Sequence, residues 1–394
     1  SYWDTDTSGT ATSSSGTGKT TLQMQDAATF STWDIADVDD YATEKWSIVD
    51  GSDYPRLGWQ GIWDYSYRME LTIDATKIDD ELTDFPVLVK LTSTEMDFTH
   101  ARADGHDIRF TDADGVLLAY EVERWDATAE AAEIWVKIPV IDDTTDTVFY
   151  MYYGKPLAGE AQNPAEVWND DFEGAYLMIA GGSTTFDNSA GTGTLTGTSA
   201  TSGLEAPISQ PFEDWHNNFG SGYTFVIWHD GITLPDAWQS IFYLSDTVMS
   251  WQRYNLNDWL KNYHNGNGIE MTDISLSDFS AAGMFTALWT GANLYAYVND
   301  AQEGSSGMAV APKTNSATSI LYITATTTVS DFFVLNDNMS AAWIKAFYNS
   351  LNNTLLSFGA EEDMSWSCGD DLAISHDDDD GVAPADATIT YGTV

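Results

Sequence analysis

The chain has 394 residues, more than one hydrophobic core usually serves, so two or three domains are expected. It carries 61 Asp and Glu against 15 Lys and Arg, a formal net charge of −46, and it offers no basic stripe. Such a polyanion repels phosphate, which excludes nucleic acid as a partner, and its apolar runs fall short of the roughly 20 residues of a spanning helix, so no membrane insertion is expected.

Residues 1–20 are rich in Ser, Thr and Gly and bury too little apolar area to fold alone, so a neighbouring domain or subunit is expected to order them. Ser1 opens with neither a basic n-region nor an apolar h-region, so an export signal is expected to have been removed or to lie upstream. Gly16-Thr-Gly-Lys-Thr20 is not a phosphate loop: Ser13 stands where the pattern needs its first glycine, and no apolar strand precedes it.

Aromatic residues make up 13% of the chain, and with abundant Thr, Ser and Gly they favour strands and turns. From Met69 to Tyr153, short apolar runs predict strands at Met69–Ile73, Phe85–Leu91, Asp107–Phe110, Leu117–Val122, Glu133–Ile138 and Thr147–Tyr153. Asp104-Gly105 and Asp114-Gly115 are turn signals between them, and a β-sandwich follows. A second set predicts Tyr223–Trp228, Ser240–Leu244, Thr247–Tyr254, Phe285–Leu288, Leu294–Val298, Ser319–Ile323 and Ser330–Leu335. One helix is expected at 340–349, with Ser340 as N-cap and Trp343, Ile344, Phe347 and Tyr348 on one face.

Chemistry-bearing patterns are sparse. His100, His106, His216, His229, His264 and His376 show no metal-ligand spacing. Asp112 and Asp114, with Gly115, resemble the opening of a calcium loop but lack its later ligands, and a plain turn selects the same residues. Asp377, Asp378, Asp379 and Asp380 are adjacent carboxylates that solvent, cations or a basic partner must relieve. No cofactor is required; Ca²⁺ is the cation these oxygens would take. Trp238, Trp251, Tyr254 and Trp259 are candidates for stacking on sugar rings, against the alternative of core packing. Thr388, Ile389, Thr390 and Tyr391 form a stray alternating strand, of the kind that completes a neighbour's sheet. Cys368, the single cysteine, is a free thiol or half of a bridge whose partner lies elsewhere.

Four successive blocks resemble known modules. Ser1-Tyr-Trp-Asp4, Gly16–Met24, Trp46-Ser-Ile48 and Asp53–Leu57 resemble the closing segment of GLUG-type, haemagglutinin-like β-helix repeats. Asp84–Val89, Asp104–Asp112, Tyr120-Glu-Val-Glu123, Trp135–Pro139 and Tyr150–Gly154 resemble a bacterial domain of unknown function that precedes lectin-like jelly rolls. Tyr223–Trp228, Leu294–Asn299, Ala341–Tyr348 and Phe358-Gly-Ala-Glu-Glu362 are similar to a LamG or concanavalin-type jelly roll. That family often has Ile-Asp-Glu-Val-Arg where this chain has Val329-Ser-Asp-Phe-Phe333, so the Arg is lost. Cys368 and its surroundings resemble the entry to a FISUMP-type module, in which a second cysteine follows.

The expected fold is all-β: two consecutive β-sandwich domains, the second a jelly roll with one short helix, flanked by extended terminal segments. The expected division is 1–62, 63–160, 161–363 and 364–394. The resemblances imply a non-enzymatic extracellular or cell-surface protein. The leading expectation is a structural subunit that polymerises with copies of itself through strand addition; the alternatives are a carbohydrate-binding adhesin with surface glycans as partners, or a phage or virus fibre protein.

Overall fold

The computed structural model describes residues 65–168 and 327–364 throughout, and stretches of 2–57 and 171–323. At the N-terminus β1 (Tyr2–Asp4) pairs in parallel with β2 (Thr17–Lys19). The described part of this polar tail fastens to its own chain. Tyr2 packs edge-on against Phe30 at 5.4 Å, and the Asp4 carboxylate accepts from Thr21 Oγ1 at 2.7 Å and from the Tyr54 hydroxyl. A second small sheet joins β3 (Ile35–Asp37), β4 (Trp46–Ile48) and β5 (Arg56–Leu57).

The next strands are β6 (Tyr67–Ile73), β7 (Leu82–Thr92), β8 (Arg109–Asp112), β9 (Tyr120–Asp126), β10 (Ala131–Ile141) and β11 (Thr147–Tyr153). The period-2 pattern decides which residues they bury: Met69, Leu71 and Ile73 from β6, Phe149 and Met151 from β11, and Ala132, Ile134 and Val136 from β10 are all inside. β8 and β9 begin later than the apolar pattern predicts. The chain before β8 is instead a loop built around the buried Asp107, whose carboxylate accepts from the amides of Arg102 (3.0 Å), Gly154 (2.8 Å) and Lys155 (3.2 Å). Gly105 within that loop has φ +71°, and a Cβ there would meet the Trp125 ring at 2.6 Å, so no other residue fits.

The second body contains β12 (Phe172–Leu177), β13 (Thr185–Asp187), β14 (Thr194–Ser199), β15 (Leu204–Pro211), β16 (Tyr223–His229) and β17 (Ser240–Leu244). It continues with β18 (Met249–Tyr254), β19 (Trp259–His264), β20 (Asn267–Ser275), β21 (Gly283–Trp289), β22 (Asn293–Val298), β23 (Ala301–Gly307), β24 (Ile320–Ile323) and β25 (Thr328–Leu335). The described strands run β20-β19-β18-β17-β24-β15-β25-β16-β21-β22-β23, with β12 on β25 and β14 on β15. Every pairing is antiparallel, and the long crossovers that bring β24 and β25 between earlier strands are the Greek-key connections of a jelly roll.

The end of the expected jelly roll lies elsewhere. The one long helix (Ala341–Leu351), capped by Ser340 Oγ accepting from the Trp343 amide at 3.1 Å, runs along the outer edge of β7. Ser350 Oγ accepts from the Leu88 amide at 2.8 Å, and Lys90 Nζ donates to the Leu351 carbonyl at 2.6 Å. β26 (Leu356–Asp363) then pairs antiparallel with β6, so the first sandwich is completed as β26-β6-β11-β8 over β7-β10-β9. Phe358-Gly-Ala-Glu-Glu362 therefore belongs to the first sheet, a correction to its expected place. The physical cause is edge closure: β6 and β7 would otherwise present unpaired backbone groups and an apolar flank. Phe347, Trp343 and Phe85 from the helix and β7 join Trp135, Trp168 and Phe333 in one aromatic cluster, so a single core runs through both bodies.

Candidate functional site

The sequence-predicted site residues separate. Asp112 ends β8, and its Oδ1 accepts from the amides of Asp114 and Val116, each at 2.9 Å. That is a side-chain-capped turn, and Asp114 beside it is exposed. Among the described residues no group of three or more His, Cys, Asp or Glu is placed to hold a metal ion. Asp377, Asp378, Asp379, Asp380, Cys368 and the strand Thr388, Ile389, Thr390 and Tyr391 lie outside the described residues, as does Trp238. Trp251 and Tyr254 lie in β18 and Trp259 in β19, where the backbone register puts Tyr254 directly opposite Trp259 and Trp251 opposite Asn262.

His100 and His229 are held structurally. His100 stacks on Tyr67 at 4.0 Å with its Nδ1 2.6 Å from Glu361 Oε1, while the Tyr153 hydroxyl donates to Glu361 Oε2 at 2.6 Å. This clip ties β26 to the first sheet. His229 is buried at the end of β16; its Nδ1 accepts from the Gly231 amide at 3.0 Å, and burial lowers its pKa to about 4, which keeps it neutral.

The densest unexplained chemistry lies where β9 faces the second body. Glu121 and Glu123 alternate along β9 and so project to one side of it. The Glu121 carboxylate accepts from Trp168 Nε1 and Ser189 Oγ, both at 2.6 Å. Glu123 accepts from Trp135 Nε1 at 2.9 Å and from the Ile179 amide at 2.8 Å. The donors come from both bodies, so these two carboxylates sit on the seam. Burial raises the pKa of each, and for Glu123 the neighbouring charge of Asp331 adds to the rise.

Asp331, from β25, is completely buried, and neither of its carboxylate oxygens receives a hydrogen bond of ordinary geometry; the Met178 amide, which donates to the Ser330 carbonyl at 3.0 Å, lies near enough to favour its charged form. Burial pushes its pKa up to about 7, although the Lys90 ammonium pulls the other way. This is the segment that departs from the jelly-roll pattern. Two residues after Asp331, in place of the family's Arg, stands Phe333, which packs on Trp135 at 5.5 Å and on Phe347 at 5.0 Å. Neither Glu121, Glu123 nor Asp331 was among the residues singled out from the sequence. The signal was the acidic alternation in Tyr120-Glu-Val-Glu123, with one further acid in the apolar run of β25.

A cleft of ≈ 280 Å³ opens where β7 meets the loops around β12 and the helix, lined by Glu81, Asp84, Asp171, Asp337, Asn338 and Trp343 among others. Its lining combines these polar groups with Leu82, Phe172, Leu335 and Met339. No described helix is long and apolar enough to cross a membrane.

Fold and site together define an all-β protein of sandwich sheets sharing one core. A family model described as a domain of unknown function, DUF2341, matches residues 104–192. The resemblance drawn from residues 68–154 is thus met over 104–154, and the match continues into β12 and β13. The matched span contains Glu121, Glu123 and Ser189. No curated protein matches the chain. Among solved structures, the binding domain of botulinum neurotoxin DC in complex with SialylT is 11% identical, with a TM-score of 0.35, covering 46% of this chain and 52% of that one. Trypanosoma rangeli sialidase, in complex with 2,3-difluorosialic acid, is 11% identical at a TM-score of 0.38, covering 57% of this chain and 42% of that one. The chain spans about half or less of these proteins, and likeness at this level says nothing of site or ligand.

Proposed function

We propose that this chain is a carbohydrate-binding, adhesive module of a secreted or surface-attached protein, with its binding face on β17–β20 and β24. The observation that carries this is the strand register. Tyr254 pairs with Trp259, Gln252 with Lys261, and Ser250 with Tyr263 between β18 and β19. Lys261 pairs on with Glu270, and Tyr243 pairs with both Ser250 and Tyr322. These residues share one parity and therefore one face of the sheet. The other parity holds Phe242, Leu244, Met249, Trp251, Leu260, Met271, Leu321 and Ile323, together with Arg253, Asn262 and His264, and is the more apolar of the two.

Parity thus divides the expected sugar-stacking residues. Tyr254 and Trp259 belong to a polar, aromatic face, while Trp251 goes with the packing set. Tyr and Trp at register positions shared with Gln252, Lys261 and Glu270 are the residue types a pyranose needs: flat apolar rings for its C–H face and hydrogen-bonding groups for its hydroxyls. The structural-subunit reading rests on 388–391, outside the described residues, and the comparisons lend it no support.

A glycan array run with and without Ca²⁺ tests the proposal, followed by calorimetry on any hit. The double substitution Tyr254→Ala/Trp259→Ala is expected to weaken binding about a hundredfold, at roughly 1.4 kcal/mol per ring. Leu157→Ser, at an exposed position far from these strands in sequence, is expected to change nothing. An array silent for the intact protein would sink the idea.

A further inference from the structure

The seam carboxylates have no role in sugar binding as proposed, and their geometry raises its own question. Asp331 is buried with two empty acceptor oxygens, and Glu123 stands next to it with each oxygen already accepting one hydrogen bond from an N–H. Two ionised carboxylates cannot remain together in such a place without a neutralising group. An arginine would serve, but Phe333 occupies the family's Arg position and packs among rings. The guanidinium of Arg124, next to Glu123 in sequence, is engaged by both oxygens of Glu133 at 2.6 Å. Lys90 is the one ammonium that acts on Asp331, and it is held on the Leu351 carbonyl, 5.9 Å from the Trp228 ring centre. A divalent cation would need further oxygen or nitrogen ligands, and no third such side chain joins the pair among the described residues.

We propose that Glu123 and Asp331 share one proton, and that this carboxyl–carboxylate hydrogen bond is a pH-sensitive lock on the seam between the two β bodies. The proton resides on Glu123, whose hydroxyl donates to an Asp331 oxygen and fills an acceptor that otherwise lacks a hydrogen bond of ordinary geometry. Among the described residues, the charged groups that act on the pair are then accounted for. Glu133 repels it and is neutralised by Arg124, Lys90 attracts it from β7, and Glu121 is capped separately by Trp168 and Ser189.

The sign follows from linkage. Both carboxyls hold their proton more tightly folded than unfolded, so the folded state binds more protons between the ordinary carboxylate range and the raised native values. The contribution of the pair is complete at acid pH and is lost as pH rises through about 7. Loss of the proton leaves two buried charges in contact, and the seam opens at Ile179 and Trp135.

Asp331→Asn tests this, because the amide is neutral at every pH and can accept from a protonated Glu123 through Oδ1 or donate to an ionised one through Nδ2. The readout is the exchange protection of the Ile179 amide, with the urea unfolding constant measured alongside, at pH 5.5 and pH 8. In the wild-type chain, Ile179 protection is expected to fall at least about tenfold between the two, and the variant is expected to hold it constant, the tenfold corresponding to one unit of pH linkage. Comparing variant with wild type removes the repulsion that a charge of −46 adds to both. Equal pH dependence in the two proteins overturns the lock. So does a wild-type seam that responds to Ca²⁺ or to a chelator instead of to pH, since the pair would then hold a cation. Should Asp331→Asn not fold, Glu123→Gln and the infrared signature of a protonated carboxyl in the wild-type chain decide; absence of that band at pH 6 overturns the proposal.

Discussion

Two regions of this molecule bury a carboxylate completely, and they solve the same electrostatic problem in opposite ways. Around Asp107 the loop between Arg102 and Lys155 turns backbone amides inward, and the carboxylate is surrounded by N–H donors while Arg109, equally buried, donates to the carbonyls of His106, Ile108 and Gly159. Around Asp331 the backbone is committed to the sheet: β25 pairs with β12 on one side and β16 on the other, and the nearby Met178 amide donates to the Ser330 carbonyl. A loop can bend its dipoles toward a charge; a central strand cannot. The first region is therefore charge-satisfied by construction, and the second depends on a partner that also carries a carboxyl.

The comparison yields graded expectations. Asp107→Ala removes the acceptor for three buried amides, and its cost is expected to be the largest, about 4 kcal/mol by urea denaturation at pH 7. A loss below about 1 kcal/mol would mean that water replaces the carboxylate and that the region is not closed as described. Trp135→Phe keeps a large ring in the aromatic cluster and deletes only the N–H donated to Glu123. It is expected to cost about 2 kcal/mol, more at pH 8 than at pH 5.5, since an ionised Glu123 needs the donor more. A pH-independent loss would assign Trp135 to packing alone. Asp112→Ala is expected to cost the least, about 1 kcal/mol, because exposed Asx turns are cheap to lose. The same loss should appear with and without Ca²⁺, and protection by Ca²⁺ confined to the wild-type chain would restore the calcium-loop reading of Asp112 and Asp114.

Much of the first sandwich was legible in its residues. β11 occupies the span its apolar run predicts, and β6, β7 and β10 contain theirs: β6 buries one face and so alternates, while β7 and β10 are buried on both faces through 85–89 and 132–136 and read as continuous runs. The helix was legible from its Ser340 cap and apolar face. β8 and β9 were displaced because the apolar residues Ile108 and Leu118 that suggested strands serve the Asp107 loop and the Phe110–Leu118 turn instead; the Leu118 amide donates to the Phe110 carbonyl at 2.9 Å. Trp251, Tyr254 and Trp259 were legible as a group of aromatics, but their division between two faces needed the register of β18 on β19.

By itself the sequence determined the all-β class and the strand-rich halves, since these depend on composition and short-range periodicity. It also contained, without marking it, each acid of the seam. Only the tertiary structure decided that the helix and β26 return to close the first sandwich, and that Glu123 meets Asp331 across more than two hundred residues of chain. The physical reason is the same for both. Edge closure and charge pairing are properties of surfaces brought together by folding, and no local pattern of side chains records which distant surface will arrive.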